Sequence, residues 1–401
     1  MRPLVSLLPF DEALEVVNKN IKPINETEVI SIDNAVGRAL AEDIIANQNI
    51  PPFDRGAMDG YAVKAEDTRG ASKDKPVVLK MIGTIHAGDP PDVVIGPGQC
   101  TQIATGAMMP EGADAVVIVE NTSIKDGKVS VYKEVSQLSD VALKGSDIQA
   151  GDTVLKAGTY LDAGKIGVLA SQGIEKVKVY IKPRVAVMPS GEEVVEPGKE
   201  LQIGQLYDIN SYTISSIVKE NGGIPVRPGI IGDTIEDIMK KLMEALEESD
   251  FLVFSGGSSA GEKDLLSSVV GEMGVILFHG VEIKPGKPTM FAIINDKPVF
   301  GMPGYPTSSL INSYLFLAPA LRKMARLPEK RAQTVRAKMS KTTPGAKDRP
   351  QFMTIKLEGG EAVPVFTVSG AITSIAGADG YIKIDANGLV EKGEEVTVTL
   401  F

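Results

Sequence analysis

The chain has 401 residues, of which 43% are hydrophobic and 23% charged, and its formal net charge is −10 at pH 7. This length predicts more than one domain, and the composition is ordinary for a globular protein. An acidic chain lacks the basic face that general nucleic-acid binding needs, so we expect no nucleic-acid partner. No run approaches the roughly 20 apolar residues that cross a bilayer, so we expect no membrane partner.

Cysteine and histidine are scarce in this sequence. Cys100 is the only cysteine, and His86 and His279 are the only histidines. A single cysteine excludes an internal disulfide framework and predicts a cytoplasmic protein. The spacing of the three residues fits no zinc motif, and a histidine-based catalytic triad is poorly supported. A bound metal should therefore have oxygen ligands, which favours Mg²⁺.

The first 180 residues predict one helix followed by a long β-rich region. Residues 11–17 have helical spacing with acidic residues at their start. From about residue 44 to 146, short β-rich runs alternate with turns rich in Gly, Pro and Asp. Residues 147–180 are punctuated by glycine and contain one short helix candidate, 166–170.

From residue 184 onward, strands and helices alternate. The patterns predict strands at 185–188, 224–231 and 251–254, and helices at 211–220 and from Asp233, which has capping-box spacing to Glu236. Such alternation predicts a parallel sheet covered on both faces. Pro306 fits the first turn of a last helix that runs to about Arg326. The basic stretch 329–350 and the β runs after it predict a small C-terminal β domain.

Several glycine-rich or proline-rich loops are candidate sites. The run 255–261 ends a predicted strand and leads into a helix, a form that offers backbone N–H groups to an anion at the carboxyl edge of a sheet. Steric packing alone also explains many such glycines, so both interpretations stay open. The run is neither a P-loop nor a GxGxxG fingerprint, which disfavours an ATPase or a Rossmann dehydrogenase. Asp264 lies where the next helix should begin, as a capping acid or as an Mg²⁺ ligand.

Other loops carry charged or hydroxyl side chains. Lys284 and Lys287 flank a Pro-Gly turn that keeps both ammonium groups in a small region, where phosphate or another oxyanion is the natural partner. Thr105 precedes a glycine and could touch a phosphate or close a turn. The segment 51–63 mixes two acids and an arginine with apolar residues, so we expect it to be partly enclosed.

Taken together, these motifs resemble the MoeA family of molybdopterin molybdenumtransferases, whose animal relative is the E domain of gephyrin. The resemblance is carried, in the family's order, by residues 54–62, 105–114, 145–148, 190–193, 207–211, 255–264, 284–288 and 301–306. It implies a multidomain α/β and β protein. A three-layer α/β/α domain, similar to the molybdopterin adenylyltransferases, would carry inserted β-rich N-terminal domains and a small C-terminal domain like a β-barrel.

The resemblance also implies domain boundaries and an assembly. Residues 1–26 and 180–327 would form the α/β molybdopterin-binding domain, 27–45 and 147–179 an elongated linker and dimerisation domain, 46–146 the β-rich domain with Asp59 and Thr105, and 328–401 the C-terminal β domain. The protein would be a homodimer whose active site lies in a cleft between the α/β domain of one subunit and the second domain of the other. A transient contact with a molybdopterin adenylyltransferase is a further expected partnership.

The implied reaction is the insertion of molybdate or tungstate into adenylylated molybdopterin, with release of AMP and with Mg²⁺ as cofactor. The resemblance assigns a catalytic set, Asp59, Thr105, Asp147, Glu193, Asp233 and Asp264, and a substrate-binding set, Ser255, Gly256, Gly257, Lys284, Lys287, Pro303 and Pro306. We expect Asp59 and Asp264 to be nearest the metal or the anhydride, and Lys284 to contact the phosphate or the oxyanion. A molybdopterin adenylyltransferase and a non-catalytic, gephyrin-like scaffold are the alternative functions.

Four residues depart from the family's pattern. Gly56 replaces the usual serine, Ser258 and Ala260 replace valines, and Tyr305 replaces asparagine. The family's C-terminal arginine and serine are ambiguous here. Arg349 or Gln351 could take the first position, and Ser369 or Ser374 the second.

Overall fold

The computed structural model describes residues 7–191, 193–232, 234–256, 265–365 and 371–401. Three predicted site residues, Asp233, Gly257 and Asp264, lie outside the described residues. The chain divides into two compact units. Unit 1 comprises residues 1–29, 37–41 and 178–401, and unit 2 comprises residues 30–36 and 42–177. The finer division into four domains stays a prediction.

The described helices are α1 Phe10–Asn20, α2 Ala163–Ser171, α3 Asn210–Glu220, α4 Ile235–Glu248, α5 Leu265–Met273, α6 Pro306–Asn312, α7 Ala318–Met324 and α8 Thr373–Ala376, with a π-helical segment, Ser313–Leu317, between α6 and α7. None of these described helices has the length and apolar character needed to span a membrane.

The strands up to residue 180 are β1 Thr27–Ser31, β2 Ile44–Ile45, β3 Arg55–Gly56, β4 Gly60–Val63, β5 Val77–Ile85, β6 Gln99–Ile103, β7 Ala115–Ile118, β8 Thr122–Lys125, β9 Lys128–Val131, β10 Val141–Ala142, β11 Thr153–Leu155 and β12 Lys176–Tyr180. Those that follow are β13 Arg184–Pro189, β14 Val194–Val195, β15 Leu206–Tyr207, β16 Ile224–Val226, β17 Phe251–Ser255, β18 Val275–His279, β19 Met290–Ile294, β20 Lys297–Met302, β21 Thr334–Met339, β22 Thr343–Pro344, β23 Gln351–Glu358, β24 Glu361–Pro364, β25 Gly380–Ile384, β26 Leu389–Val390 and β27 Glu395–Leu400.

The main sheet of unit 1 has six strands in the order β16–β13–β17–β20–β19–β18. The first four are parallel, as predicted, but β19 runs antiparallel to both of its neighbours, β20 and β18. The prediction of a parallel sheet is therefore wrong for β19, which is the reversed strand. Asn295 and Asp296, which join β19 to β20, have φ values of 50° and 62°. A two-residue turn with positive φ at both positions closes a hairpin, so the strands it joins must be antiparallel.

Helices cover both faces of this sheet, as predicted. Along β13, Val185 and Val187 join one buried cluster, while Ala186 and Met188 join another. This alternation is the two-residue period of a strand that is buried on both faces. The first cluster also contains apolar side chains of α1, α3, α6 and α7, and the second contains those of α4 and α5. The result is a three-layer α/β/α arrangement.

Two boundaries differ from the predictions. The N-cap of α4 is Thr234, whose hydroxyl accepts a hydrogen bond from the Asp237 N–H at 3.1 Å, so the predicted capping box that begins at Asp233 is wrong by one residue. The strand predicted over 224–231 ends at Val226. Pro228 has no N–H to donate and Gly229 has φ +102°, and both features stop regular pairing.

The last helix of the α/β layers begins at Pro306, as predicted, and continues to Met324 through the π-helical segment. Pro319 is the second residue after that segment. Because proline cannot donate to the carbonyl four residues earlier and its ring crowds that carbonyl, a wider turn just before it relieves the conflict.

The predicted C-terminal β domain is a closed barrel of five strands in the order β21–β24–β23–β25–β27. Its interior is filled by alternating apolar side chains, among them Met339, Ile355 and Val398. The inside-outside alternation along each strand gives the barrel its own core.

Unit 2 is built on a second six-stranded sheet, in the order β7–β4–β6–β5–β9–β8. The interior strand β4 begins at Gly60, which pairs with Ile103 on one side and Ile118 on the other. A Cβ placed on Gly60 would lie 2.1 Å from the carbonyl oxygen of Val117. The backbone of β7 therefore fits against β4 only because residue 60 has no side chain.

We predict that Gly60→Ala destabilises the protein by about 3 kcal/mol, because the added methyl group forces two strand backbones apart. Gly56→Ala is the control, since its Cβ would make an ordinary contact of 3.4 Å with Ile103. Denaturant unfolding of both variants provides the measurement. Equal stability of the two variants would contradict the prediction.

Candidate active site

Three loops of unit 2 meet at one end of its sheet, and these loops carry Asp59 and Thr105. Because β4 runs antiparallel to β6, the residue before β4 lies next to the residues that follow β6. Backbone hydrogen bonds then join the loops: Gly56 N–H donates to Ala107 O at 3.0 Å, and Ala57 N–H donates to Asp140 O at 2.8 Å.

The Asp59 carboxylate is hydrogen-bonded to Thr105. Its Oδ1 accepts from the Thr105 backbone N–H at 2.6 Å and from the Thr105 hydroxyl at 2.7 Å. The backbone hydrogen bond, and after it the hydroxyl hydrogen bond, lowers the pKa of Asp59 below its ordinary value. Asp59 is exposed. The loops therefore present an oriented, ionised carboxylate to solvent.

The expected partial enclosure of segment 51–63 is found at Pro51, Gly56 and residues 60–63, which are buried, whereas the charged residues of the segment are exposed. Asp54 instead accepts a hydrogen bond from Lys144 N–H at 2.7 Å, which ties its loop to the third loop of the group.

Asp147 lies further along that third loop. Its backbone N–H donates to Ile50 O at 3.0 Å, and its side chain is exposed. Within the described part of the chain no hydrogen bond links Asp147 to Asp59. The structure thus joins Asp59 to Thr105 and fixes the backbone of Asp147 without a direct contact to that pair.

In unit 1, the parallel strands β13, β17 and β20 end side by side, and the loops that follow them pack backbone to backbone. Gly256 has φ +87°, and a Cβ on it would lie 2.7 Å from Ser190 O. A Cβ on Gly304 would lie 3.3 Å from the Gly256 Cα. Ser255 is buried at the end of β17, and its carbonyl accepts from Ser190 N–H at 2.9 Å. Glycine is required where the loops approach this closely.

Glu193 lies just beyond Ser190 and is exposed. Its carboxylate covers Gly191, since a Cβ on that glycine would lie 2.6 Å from Glu193 Oε2. The Glu193 carbonyl accepts from Leu206 N–H at 2.7 Å. This hydrogen bond fixes the glutamate close to the strand ends of unit 1.

The lysine turn, residues 284–289, is held by the barrel. Lys284 N–H donates to Pro350 O at 2.9 Å, and Phe352 N–H donates to Lys284 O at 2.7 Å. Lys284 is exposed and Lys287 is half-buried. Among the described residues neither lysine forms a salt bridge. Both ammonium groups are therefore available to an anion.

The loop between β20 and α6 contains Pro303 and Pro306. Pro303 is buried, Pro306 opens α6, and Tyr305 between them is 66% exposed. Asn210, at the start of α3, donates from Nδ2 to Gly304 O at 2.8 Å. The prediction of site residues omitted Asn210, although segment 207–211 contributed to the family resemblance.

The alternative residues for the family's C-terminal arginine and serine differ in burial. Gln351 is 4% exposed within β23, whereas Arg349 lies before that strand and pairs with Asp348 at 3.1 Å. Ser374 is buried on α8, and Ser369 lies outside the described residues. Which of these residues serves the reaction stays a prediction.

A metal site made entirely of protein ligands is not present in the described ranges. No group of three or more His, Cys, Asp or Glu side chains there is arranged to hold a metal ion. Asp264, the second predicted ligand, is outside those ranges.

Three family models match successive parts of the chain. The MoeA N-terminal region (domain I and II) matches residues 8–173, the probable molybdopterin binding domain matches 186–323, and the MoeA C-terminal region (domain IV) matches 336–401. The chain belongs to the MoeA family. This confirms the resemblance read from the motifs.

Relatives of this MoeA-family chain match it over nearly its whole length. A putative molybdopterin biosynthesis protein of Methanocaldococcus jannaschii is 35% identical and covers 100% of both chains. A molybdopterin molybdenumtransferase of Bacillus subtilis is 32% identical, over 98% of this chain and 94% of the relative. A crystal structure of a MoeA protein from Pyrococcus horikoshii has a TM-score of 0.83 at 41% identity, over 98% of this chain and 99% of that chain. The expected fold class is thereby confirmed.

We predict that Thr105→Val raises the pKa of Asp59 toward its ordinary value, because the variant keeps the backbone donor but loses the hydroxyl donor. Thr105→Ser should leave the pKa low, since it retains that hydroxyl. Carbon-13 NMR titration of the aspartate carboxyl groups, with Asp59→Asn for assignment, provides the measurement. An unchanged pKa in the valine variant would show that the hydroxyl does not act on Asp59.

Proposed function

We propose that this chain is a molybdopterin molybdenumtransferase that inserts molybdate or tungstate into adenylylated molybdopterin and releases AMP. The full-length similarity to the Bacillus subtilis transferase supports this function. The observation that carries the chemistry is the exposed Asp59 carboxylate, which Thr105 orients and keeps ionised.

Unit 1 supplies groups suited to the anionic parts of the substrate. The strand ends at Ser255 and Gly256 form the kind of edge where α/β sheets bind ligands. Lys284 and Lys287 carry ammonium groups that no described acid neutralises, and they would bind the pterin phosphate or the oxyanion. Pro303 and Pro306 would form one wall of the pocket. Glu193 and Asp147 would have supporting roles.

We further propose a weakly coordinated Mg²⁺ ion, for which the exposed, ionised Asp59 carboxylate is a suitable ligand. Magnesium commonly binds through one or two carboxylates together with substrate phosphates and water, so a complete cage of protein ligands is not needed. Asp59 would provide one oxygen ligand and Asp264 another. When bound, the ion would polarise the phosphoanhydride. The contribution of Thr105 is to hold Asp59 ionised and oriented, and that of the lysines is to offset substrate charge.

We propose a homodimer that receives adenylylated molybdopterin through transient contact with a molybdopterin adenylyltransferase. The single cysteine supports a cytoplasmic location.

We predict that Asp59→Asn reduces AMP release about 100-fold or more, because the amide cannot replace an anionic group near the reacting anhydride. The assay incubates the protein with adenylylated molybdopterin, molybdate and Mg²⁺. It measures AMP and the activation of an apo-molybdoenzyme, and a parallel reaction contains a chelator in place of Mg²⁺.

Asp162→Asn is the matched control. Asp162 also has a lowered pKa, which arises mainly from a hydrogen bond with the Lys165 side chain, and it caps α2. Asparagine caps a helix about as well as aspartate does, so this variant should remain active. Wild-type rates in Asp59→Asn would refute the catalytic assignment. In a separate incubation with molybdopterin and ATP, consumption of ATP by the wild type would instead indicate an adenylyltransferase, and absence of both reactions a scaffold.

We predict that Lys284→Ala raises the dissociation constant for adenylylated molybdopterin by about tenfold or more, since a charge-assisted hydrogen bond is lost. Lys240→Ala, which removes an exposed lysine of α4 in the same unit, should bind normally. Isothermal titration calorimetry at two salt concentrations measures both constants. Equal affinities of the two variants would contradict a role for Lys284.

A further inference from the structure

Asn312 is a fully buried polar residue that contacts the lysine turn. It is the last residue of α6 and has no exposed surface. Its side chain lies directly against Gly286, because a Cβ on that glycine would be 2.1 Å from Asn312 Nδ2. Gly286 has φ +112°, a conformation that glycine adopts without strain.

The hydrogen bonds of Asn312 are specific to this turn. Asn312 Nδ2 donates to Gly286 O at 3.2 Å and to Thr289 Oγ1 at 2.5 Å. The Thr289 hydroxyl in turn donates to Gly286 O at 2.8 Å. The two N–H bonds of the amide thus serve two acceptors of one turn, and Thr289 is also fully buried. Buried hydrogen bonds of this kind are costly to leave unmade.

The lysine turn is consequently fixed from three sides. The barrel holds Lys284 through Pro350 and Phe352, and the Lys287 carbonyl accepts from Val281 N–H at 2.9 Å. Asn312 holds the centre of the turn, between the two lysines. Because the backbone conformation at residues 285 and 286 sets the directions of both lysine side chains, a change at the centre would misplace both ammonium groups.

We infer that Asn312 is a positioning residue that presets Lys284 and Lys287 for the anionic substrate. The inference rests on the proposed function, in which those lysines bind the pterin phosphate or the oxyanion. Asn312 does not touch the substrate. It acts through the Gly286 carbonyl and Thr289, and without it the substrate must order the turn at the expense of affinity.

The test uses the full chain with Asn312→Ala and the matched control Ser309→Ala. Ser309 is a fully buried residue of the same helix, and its hydroxyl has no hydrogen-bond partner among the described residues. Hydrogen–deuterium exchange of peptides spanning residues 281–290 reports the order of the turn without any substrate. Isothermal titration calorimetry with adenylylated molybdopterin reports affinity, both in the wild-type background and in Lys284→Ala/Lys287→Ala.

Asn312→Ala should accelerate exchange in 281–290 and weaken binding about tenfold, whereas Ser309→Ala should do neither. In the background without the two lysines, Asn312→Ala should weaken binding no further, because the effect passes through them. Unchanged exchange in 281–290, or an equal loss of affinity in the two backgrounds, would overturn the inference. Failure of the wild type to release AMP would overturn the proposed function, so the two failures are seen in different measurements.

Discussion

An exposed carboxylate takes part in chemistry reproducibly only if something holds it in one orientation, and the hydrogen bonds from Thr105 to Asp59 do so in unit 2. These two hydrogen bonds depend in turn on the six-stranded sheet of unit 2. The antiparallel register of β4 and β6 places the two residues at adjacent strand ends, and Gly60 lets β7 approach from the other side. A charged group on a loop thus acquires the rigidity of the strands next to it.

In unit 1, close contacts between backbone segments likewise hold the candidate site residues in place. The loops after β13, β17 and β20 touch through Ser190, Gly256 and Gly304, and the barrel strand β23 binds the backbone of Lys284. The barrel therefore has more than a structural role of its own, since the position of a candidate substrate-binding lysine depends on it. Asn312 adds a contact from the helical layer to the same turn.

Much of the fold could be predicted because local patterns and tertiary structure agree. The short apolar run at 185–188, the helical segment 211–220 and the apolar stripe of α4 gave correct elements. The errors occurred where one or two residues override a pattern. The Asn295–Asp296 turn reverses the chain and makes two strands antiparallel, Pro228 and Gly229 shorten β16, and Thr234 takes the capping position assigned to its neighbour.

The candidate site was less predictable, for a different reason. Asp59, Thr105 and the lysines could be proposed from their residue types and from the family resemblance. Asn210 lies in a segment that contributed to the resemblance but was not chosen as a site residue. Asn312 could not be proposed, because a buried amide in a helix shows no sequence signal that distinguishes packing from support of a distant loop. Their partners, Gly304 and Gly286, are 94 and 26 residues away in the chain.

The closed barrel has a consequence for the order of events during synthesis. Its strand β27 pairs with both β21 and β25, so Glu395–Leu400 complete the ring. Until these residues leave the ribosome, β21 and β25 each expose an unpaired edge that could pair with a neighbouring nascent chain. Since Pro350 and Phe352 also bind the Lys284 backbone, the lysine turn acquires these contacts only after residues 350–352 have been synthesised.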